Sequence, residues 1–370
     1  MTYQQNCTLP DDLVEHIMKQ GLEAVPEMIS TLINLAMQVE RQAYLGVGPY
    51  ERSPERRDSA NGFKPKTVAT RMGEITFDVP QVRQSGFYPQ SLEKGLRSER
   101  ALKLALAEMY VQGVSTRKVT AITEQLCGVS VSSTQVSDAA ALLDDQLEAW
   151  RNRPLGRCHY LYLDARYEKV RQDGQVRDGA VLIAVGVNEE GKREVLGVSV
   201  ALSEQEVHWR SFLQSLTQRG LHGVELITSD AHAGLQQARR AVFGSVPWQR
   251  CQFHLQQNAQ SYVPRKTMKK EVAADIRAIF NAPNRQESER LLAMSVQKYE
   301  QTASKLATWM EENIPQGLTV FEFPPEHQRR LRTSNGVERL NREIRRRTRV
   351  VTIFPNEASC LRLVSAILME

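Results

Sequence analysis

Four apolar runs between residues 158 and 230 constrain the fold more than any other feature of the chain. CHYLYLD (158–164) alternates, GAVLIAVGVN (179–188) and REVLGVSVAL (193–202) are near-continuous, and VELITSD (224–230) follows the helical stretch SFLQSLTQRG. Short apolar runs bounded by turn residues are strand signals. Three strands in succession, then a helix, then a strand is the order of a mixed α/β sheet. The runs at 179 and 224 are expected to be buried on both faces. A helix at 234–243 and a fifth short strand at 247–253, PWQRCQF, extend the pattern.

Two of these strands end on an aspartate, Asp164 after YLYL and Asp230 after LITS. Carboxylates at the carboxyl ends of neighbouring strands meet in space, and two buried anions repel, so such a pair calls for a cation. Oxygen donors without Cys or His partners suit Mg²⁺ or Mn²⁺. Asp is also common where loops begin, which is the plain alternative for either residue alone. A site for two ions needs a third carboxylate, and Glu338 is the candidate. It opens a helix in which Arg339, Arg342, Arg345, Arg346, Arg347 and Arg349 follow within eleven residues. At 3.6 residues per turn, Glu338, Asn341, Arg342 and Arg345 share a face. An acid beside phosphate-binding cations is what a metal-dependent phosphodiester site requires. A solvated basic helix with a Glu338–Arg342 ion pair is the competing reading.

The charge distribution points the same way. Of 48 Lys/Arg and 43 Asp/Glu, residues 231–370 hold 22 and 13, a net of +9 against −4 for the rest. A basic C-terminal part suggests a polyanionic partner, most often nucleic acid. With 41% hydrophobic and 25% charged residues the chain is not wholly disordered. No window of 18 apolar residues occurs, so no membrane-spanning helix is expected. MTYQQNCTLPDD has neither a basic nor an apolar leader region, so no secretory signal is expected. The cysteines (Cys7, Cys127, Cys158, Cys251 and Cys360) are odd in number and form no CxxC pair, which fits reduced thiols and a cytoplasmic, nucleoid-associated protein. No P-loop and no serine nucleophile elbow is present.

Elsewhere the pattern is mainly helical. The first 45 residues read as helix, with Pro26 in a first turn, Met28, Ile29, Leu32, Ile33 and Ala36 at helical spacing, and Gly46 and Gly48 as the stop. Residues 49–65 read as an exposed loop, and TVATRMGEITFDVP as a hairpin ended by Pro80. Ser98 is placed to cap a helix through Gln112 and Ser115 a second ending at Gly128, with a third running from Ser132 or Ser133 to Trp150. This is a helix-turn-helix-like pattern, with Arg117 and Lys118 as DNA-contact candidates. Residues 264–315 read as helices broken at Ala-Pro-Asn (282–284), followed by a brief strand LTVFEF at 318–323.

YLYLDARYEKVR, ITSDAHAGL, Arg250-Cys251-Gln252-Phe253-His254 with Asn258, and RTSNGVERLNREIRRRTRVVTIFPN resemble the Mutator-type DDE transposases of bacterial insertion sequences. RRDSANGFKPKTV, GEITFDVPQVR, FYP and MYVQGVSTRKV extend the resemblance over nearly the whole chain, and the C-terminal block is its most specific part. One departure is Gly336-Val337, where a bulkier or Ala-Ile-like pair is expected. The end at Glu370 falls a little short of where similar chains stop, so a C-terminally shortened copy is one reading of it.

The resemblance implies an α/β fold, a ribonuclease-H-like mixed sheet with a helical insertion, preceded by a mainly helical N-terminal DNA-binding region. The spacings agree: 66 residues separate Asp164 from Asp230 and 108 separate Asp230 from Glu338, more than one strand and one helix need. The expected divisions are a helical region at 1–48, loop and hairpin at 49–97, the helix-turn-helix-like region at 98–150, a catalytic domain at 151–263 and 324–370, and the insertion at 264–323. The implied activity is Mg²⁺-dependent cutting of insertion-sequence ends and joining of the 3′-OH to DNA. Asp164, Asp230 and Glu338 would be both catalytic and metal ligands, and Arg339, Arg342, Arg345 and Arg346 would contact phosphates. Double-stranded DNA, as terminal inverted repeats and target, is the expected partner, with a homodimer or larger synaptic complex. Cys251 and His254 match a Cys-x-x-His signature with a structural or DNA-positioning role, as does Asn335 in its motif. Two ligands fall short of a zinc site, although His222 and His232 lie nearby in sequence. A DNA-binding repressor without catalysis, and a nuclease of the same fold without strand transfer, are the rival readings.

Overall fold

The computed structural model describes residues 11–48, 51, 53–84 and 86–370. They fall into two units, Met1–Leu142 and Leu143–Glu370. In the first, α1 (Asp11–Gln20) and α2 (Val25–Leu45) are joined by a 3-10 turn, and Gly46 closes α2 at φ 73°, a left-handed position that suits glycine. The antiparallel pair β1 (Ala60–Thr70) and β2 (Gly73–Val82) packs Val68, Ile75, Phe77 and Val79 with Met37 of α2. The hairpin is longer than its apolar residues announce. Residues 60–65, expected as loop, are exposed strand held by the ladder, and Pro80 pairs with Phe63 beside a bulge rather than ending the strand.

Three helices complete this unit: α3 (Arg100–Val111), α4 (Thr116–Cys127) and α5 (Ser133–Ala141). Their core is Leu102, Leu106, Val119, Val136 and Ala139 with Val129 and Val131 of the α4–α5 turn. Ser115 accepts a hydrogen bond from Lys118 N, and Ser132 and Gln135 form a reciprocal capping box. Ser98 caps nothing; Glu99 is the residue before α3 and makes no side-chain cap. The third helix stops at Ala141, where Leu142 N–H turns back to Ala139 O, and α6 (Asp144–Arg151) is separate.

The second unit is built on a five-stranded sheet of order β5-β4-β3-β6-β7. β3 (Cys158–Gln172), β4 (Gln175–Asn188) and β5 (Arg193–Ala201) are antiparallel neighbours. α7 (Glu206–Gln218) leads to β6 (Leu226–Ser229), parallel to β3, and α8 (Ala233–Phe243) to β7 (Trp248–Arg250), parallel to β6. Leu161, Leu163, Leu182 and Ala184 face α7 and α8 and bury Trp209, Phe212, Leu213 and Leu235. Residues 180–185 and 226–229 are buried throughout, as two covered faces require.

The insertion follows as α9 (Gln252–Ala259), α10 (Lys269–Phe280), α11 (Arg285–Tyr299) and α12 (Ser304–Asn313), with its own core around Leu255, Ile276, Phe280, Leu306 and Met310. Asn284 caps α11 by accepting from Glu287 N. The strand expected at 318–323 is instead a 3-10 turn, Thr319–Glu322, which follows another at Ile314–Gly317. It is tied to β7 by one backbone and one side-chain donor: Val320 N donates to Gln249 Oε1 at 2.8 Å, and Thr319 Oγ1 donates to Trp248 O at 2.8 Å. The chain closes with α13 (Pro325–Leu331), α14 (Asn335–Thr348) and α15 (Glu357–Met369). Arg362 of α15 grips the Asp144 carboxylate with two 2.6 Å hydrogen bonds, which binds α6 to this unit. No helix among the described residues is long and apolar enough to cross a membrane.

Candidate active site

β3 does not end at Asp164 but runs on to Gln172 in a hairpin with β4. What ends there is its pairing with β6. Leu163 opposite Ser229 is the last parallel pair, so Asp164 and Asp230 are the next residues on adjacent strands. Parallel register makes them neighbours, as the sequence pattern requires.

Alternation then decides what each face of β3 carries. Residues 160, 162, 164, 166 and 168 point towards α13 and α14. Tyr160 Oη lies 2.8 Å from His327 Nδ1, and Tyr162 Oη donates to Arg330 O at 3.0 Å. Asn341 Nδ2 donates to Asp164 Oδ2 at 2.6 Å, Arg166 donates to Asn341 O, and Thr348 Oγ1 donates to Glu168 Oε1 at 3.0 Å. Arg166 is paired with Glu168 at 2.5 Å, so it does not neutralise Asp164. This ladder docks α14 along β3 and brings its first turn, with Glu338, within electrostatic reach of Asp164.

The start of α14 is pinned through Cys251. Its N–H donates to Ser229 O at 2.9 Å, next to Asp230, while its buried sulfur accepts from Ser334 N and Oγ at 3.5 and 3.4 Å. The residue that ties α14 down is therefore Ser334, whereas Asn335 is exposed. His254 Nε2 lies 3.9 Å from Glu338 Oε1, and Cys251, His254 and Glu338 bring ligand atoms within 4.8 Å of one another. Glu338 is the third group beside the Cys-x-x-His pair. His222 instead meets Gly220 O, and His232 lies 3.7 Å from Glu204.

The electrostatics follow from burial among like charges. Burial raises the Asp164 pKa, His254 and the Ala165 N–H pull it down, and Asp230 and Glu338 push it up again, leaving it at about 6. The Cys251 sulfur, then Asp230 and Asp164, hold His254 up at about 9 against the effect of burial, so it is a cation at neutral pH. Burial pushes the Cys251 thiol up, but His254 and the Ser334 donors outweigh it and keep it below its ordinary value. Glu338 Oε1 and Asn341 Oδ1 are buried without hydrogen-bond partners. Open carboxylate and amide oxygens beside two further carboxylates are hard donors, and they fit a divalent cation of the Mg²⁺ type.

Beyond the acids, Arg339, Arg342, Arg345 and Arg346 are exposed on α14. Arg346 is held by Glu343 at 2.7 Å, and Arg347, buried, bridges Glu343 and Glu370. No Glu338–Arg342 ion pair forms among the described residues. Arg117 and Lys118 are exposed in the first turn of α4, in the other unit.

A family model described as "Transposase, Mutator family" matches residues 3–370. The chain belongs to the Mutator family of transposases. It is 61% identical, over 96% of its length and 92% of the relative's, to the transposase for insertion sequence element IS406 of Burkholderia multivorans. The transposase for ISRM5 of Rhizobium meliloti is 44% identical over 96% of the chain and 90% of the relative. The transposase for IS256 in transposon Tn4001 of Staphylococcus aureus is 35% identical over 99% and 95%. For a Mutator-family transposase, the polar ladder of β3 and the Cys251–Ser334 contact are the parts of the site that sequence reasoning missed. The available signal was Ser334 itself, a small polar residue one position before the expected helix start.

Proposed function

We propose that this transposase cuts DNA at the ends of an insertion sequence and joins the freed ends to new DNA at one site formed by Asp164, Asp230 and Glu338. The observation that carries the reading is the level at which β3–β6 pairing stops. It sets Asp164 level with Asp230, and Glu338 of α14 is near enough to add, after Asp230, to the rise of the Asp164 pKa. A β5-β4-β3-β6-β7 mixed sheet with a helical insertion before the third acid supports a ribonuclease-H-like fold.

The three acids would hold Mg²⁺, or Mn²⁺ in its place, and bound metal supplies positive charge for the attacking and leaving oxygens of a displacement at phosphorus. The chain's own residues do the rest. Asn341 fixes one oxygen of Asp164. Cys251 and Ser334 set the height of α14. Protonated His254 balances the acid cluster. Arg342 and Arg345, exposed and outside any ion pair among the described residues, take backbone phosphates, with Arg339 and Arg346 beside them. In the first reaction a water oxygen bonds to phosphorus and the P–O3′ bond breaks, the leaving oxygen ending as a 3′-OH. In the second that hydroxyl forms the new P–O bond and displaces a 3′-oxygen of the target. Bonds are exchanged one for one, so neither a nucleotide cofactor nor a protein–DNA adduct is needed.

Terminal inverted repeats and target DNA are the partners of this reading, and the α4–α5 helix pair with Arg117 and Lys118 is its end-recognition element. Ordered joining pairs two ends, which calls for a homodimer or larger synaptic complex. Asp164→Asn tests the reading, with a gel shift and cleavage measured on one preparation. Lost cleavage with retained binding is expected; cleavage near the parent level would remove Asp164 from the site. A pre-cleaved end separates a transposase, which joins it, from a nuclease, which does not.

A further inference from the structure

Outside the acid cluster, the second unit holds three arginines that converge on one hollow. Arg193 from the start of β5 and Arg329 and Arg330 from α13 line a cavity of about 440 Å³ with Thr333, Asn335 and a single acid, Glu326. None of the three arginines is in an ion pair among the described residues. Three guanidinium groups facing one space repel, and an anion with several acceptor oxygens relieves that repulsion.

The hollow is also built at its back wall. Arg193 lies over the Tyr162 ring at 5.4 Å and against the first turn of α14. A Cβ at Gly336 would sit 2.8 Å from Arg193 Nη1 and 3.3 Å from its Cζ. The glycine that departs from the bulkier residue expected at this position therefore makes room for a guanidinium. Arg193 and Arg330 border a second, larger cleft of about 820 Å³ whose lining includes Tyr160, Tyr162 and His327. A phosphate in the first hollow would have an aromatic-lined space next to it, as a nucleotide needs and a free phosphate does not. Asn335 and Glu338 are three residues apart, about 4.5 Å along the helix axis. The hollow and Glu338 therefore border the same first turn of α14.

We propose that Arg193, Arg329 and Arg330 form a cradle for a DNA backbone phosphate flanking the one cut at the acid cluster, and that Gly336 is the residue that admits Arg193 to it. The assignment rests on the chain's acting on DNA, as proposed above. It adds a positioning site that lies off the Arg-rich helix.

The test measures binding, so it does not depend on cleavage. The probe is a duplex of arbitrary sequence with a 3′ single-stranded extension, titrated against the full chain at several salt concentrations. The variant Arg193→Ala/Arg329→Ala/Arg330→Ala removes one phosphate contact and is expected to flatten the slope of log K against log salt by about 0.7–0.9. All three side chains are exposed, so the melting temperature should hold. Gly336→Ala should weaken binding as Arg193→Ala does, and the two together no more than either alone. A parent-like slope in the triple variant with an intact fold overturns the cradle. Additive loss in the double variant overturns the role of Gly336. Inorganic phosphate, followed by thermal shift, is expected to stabilise the parent and not the triple variant, alongside the flattened DNA slope; the same stabilisation with an unchanged DNA slope would make the hollow a free-anion site and overturn the proposal. If Asp164→Asn still cleaves while the slope flattens in the triple variant, the acid assignment fails and the cradle stands.

Discussion

At the scale of single residues, Asp164 shows how this site stores unfavourable charge. Its carboxyl is raised from 3.8 to about 6, by burial first and with Asp230 and Glu338 adding to it. A carboxyl with a raised folded-state pKa favours the fold while it is protonated, and that contribution is lost as pH rises through the folded value. Without metal, the chain should therefore lose stability between about pH 4 and 6 on this account, and stay penalised above. Asp164→Asn removes the penalty. In chelator at pH 7.5 it should melt higher than the parent by an amount on the order of 1–3 kcal/mol, with the gap closing towards pH 4. Melting curves of both proteins across this range check it, and a gap independent of pH would mean that Asp164 is not charge-strained. Both aspartates were legible because each follows a short strand run, YLYL and LITS, whose parallel pairing fixes their level. Cys251 was not legible in the same way. Its role comes from contacts to Ser229 and Ser334, 22 and 83 residues away.

Among the elements, the rotation of α14 sets which of its carboxylates faces His254 and Cys251. Glu338 and Glu343 are five residues apart, which turns them roughly 140° from each other on a helix. Glu338 sits in the cluster, 3.9 Å from His254, while Glu343 is bound by Arg346 and Arg347, which hold its pKa down at about 2. Glu338→Gln should abolish Mn²⁺-supported cleavage. Glu343→Gln should leave cleavage near the parent level and cost about 1 kcal/mol, because the Glu343 carboxylate is exposed and buried Arg347 keeps its second partner, Glu370. The reverse outcome would mean the helix is rotated from this position. Sequence patterns carried the apolar strands well and the polar ones poorly. The apolar pattern of β3 stops at Asp164 because Arg166 and Glu168 are charged, yet the strand continues to Gln172 and these two side chains satisfy each other against α14. Residues 60–65 of β1 are polar because both strands of that hairpin have open faces. LTVFEF alternates like a strand, but Val320 N finds the Gln249 side chain, the Thr319 hydroxyl finds Trp248 O, and the segment coils into a 3-10 turn.

For the whole molecule, the net charge of +9 over residues 231–370 predicts steep salt dependence of DNA binding, with each phosphate contact contributing about 0.9 to the slope. Arg342→Ala/Arg345→Ala should flatten it by roughly two contacts. Arg346→Ala should do less, since Glu343 already engages that guanidinium. Gel shifts between 50 and 200 mM salt distinguish these, and an unchanged slope in the double variant would make α14 a solvated face. The central claim is that one cluster of three acids both cuts and joins. A strand-transfer assay with a pre-cleaved element end in Mg²⁺ or Mn²⁺ tests it most directly, run on the parent and on Asp164→Asn, Asp230→Asn and Glu338→Gln. The account predicts joined product from the parent and none from any of the three variants, each of which still binds the end. Joining that survives in a folded acid variant would contradict it.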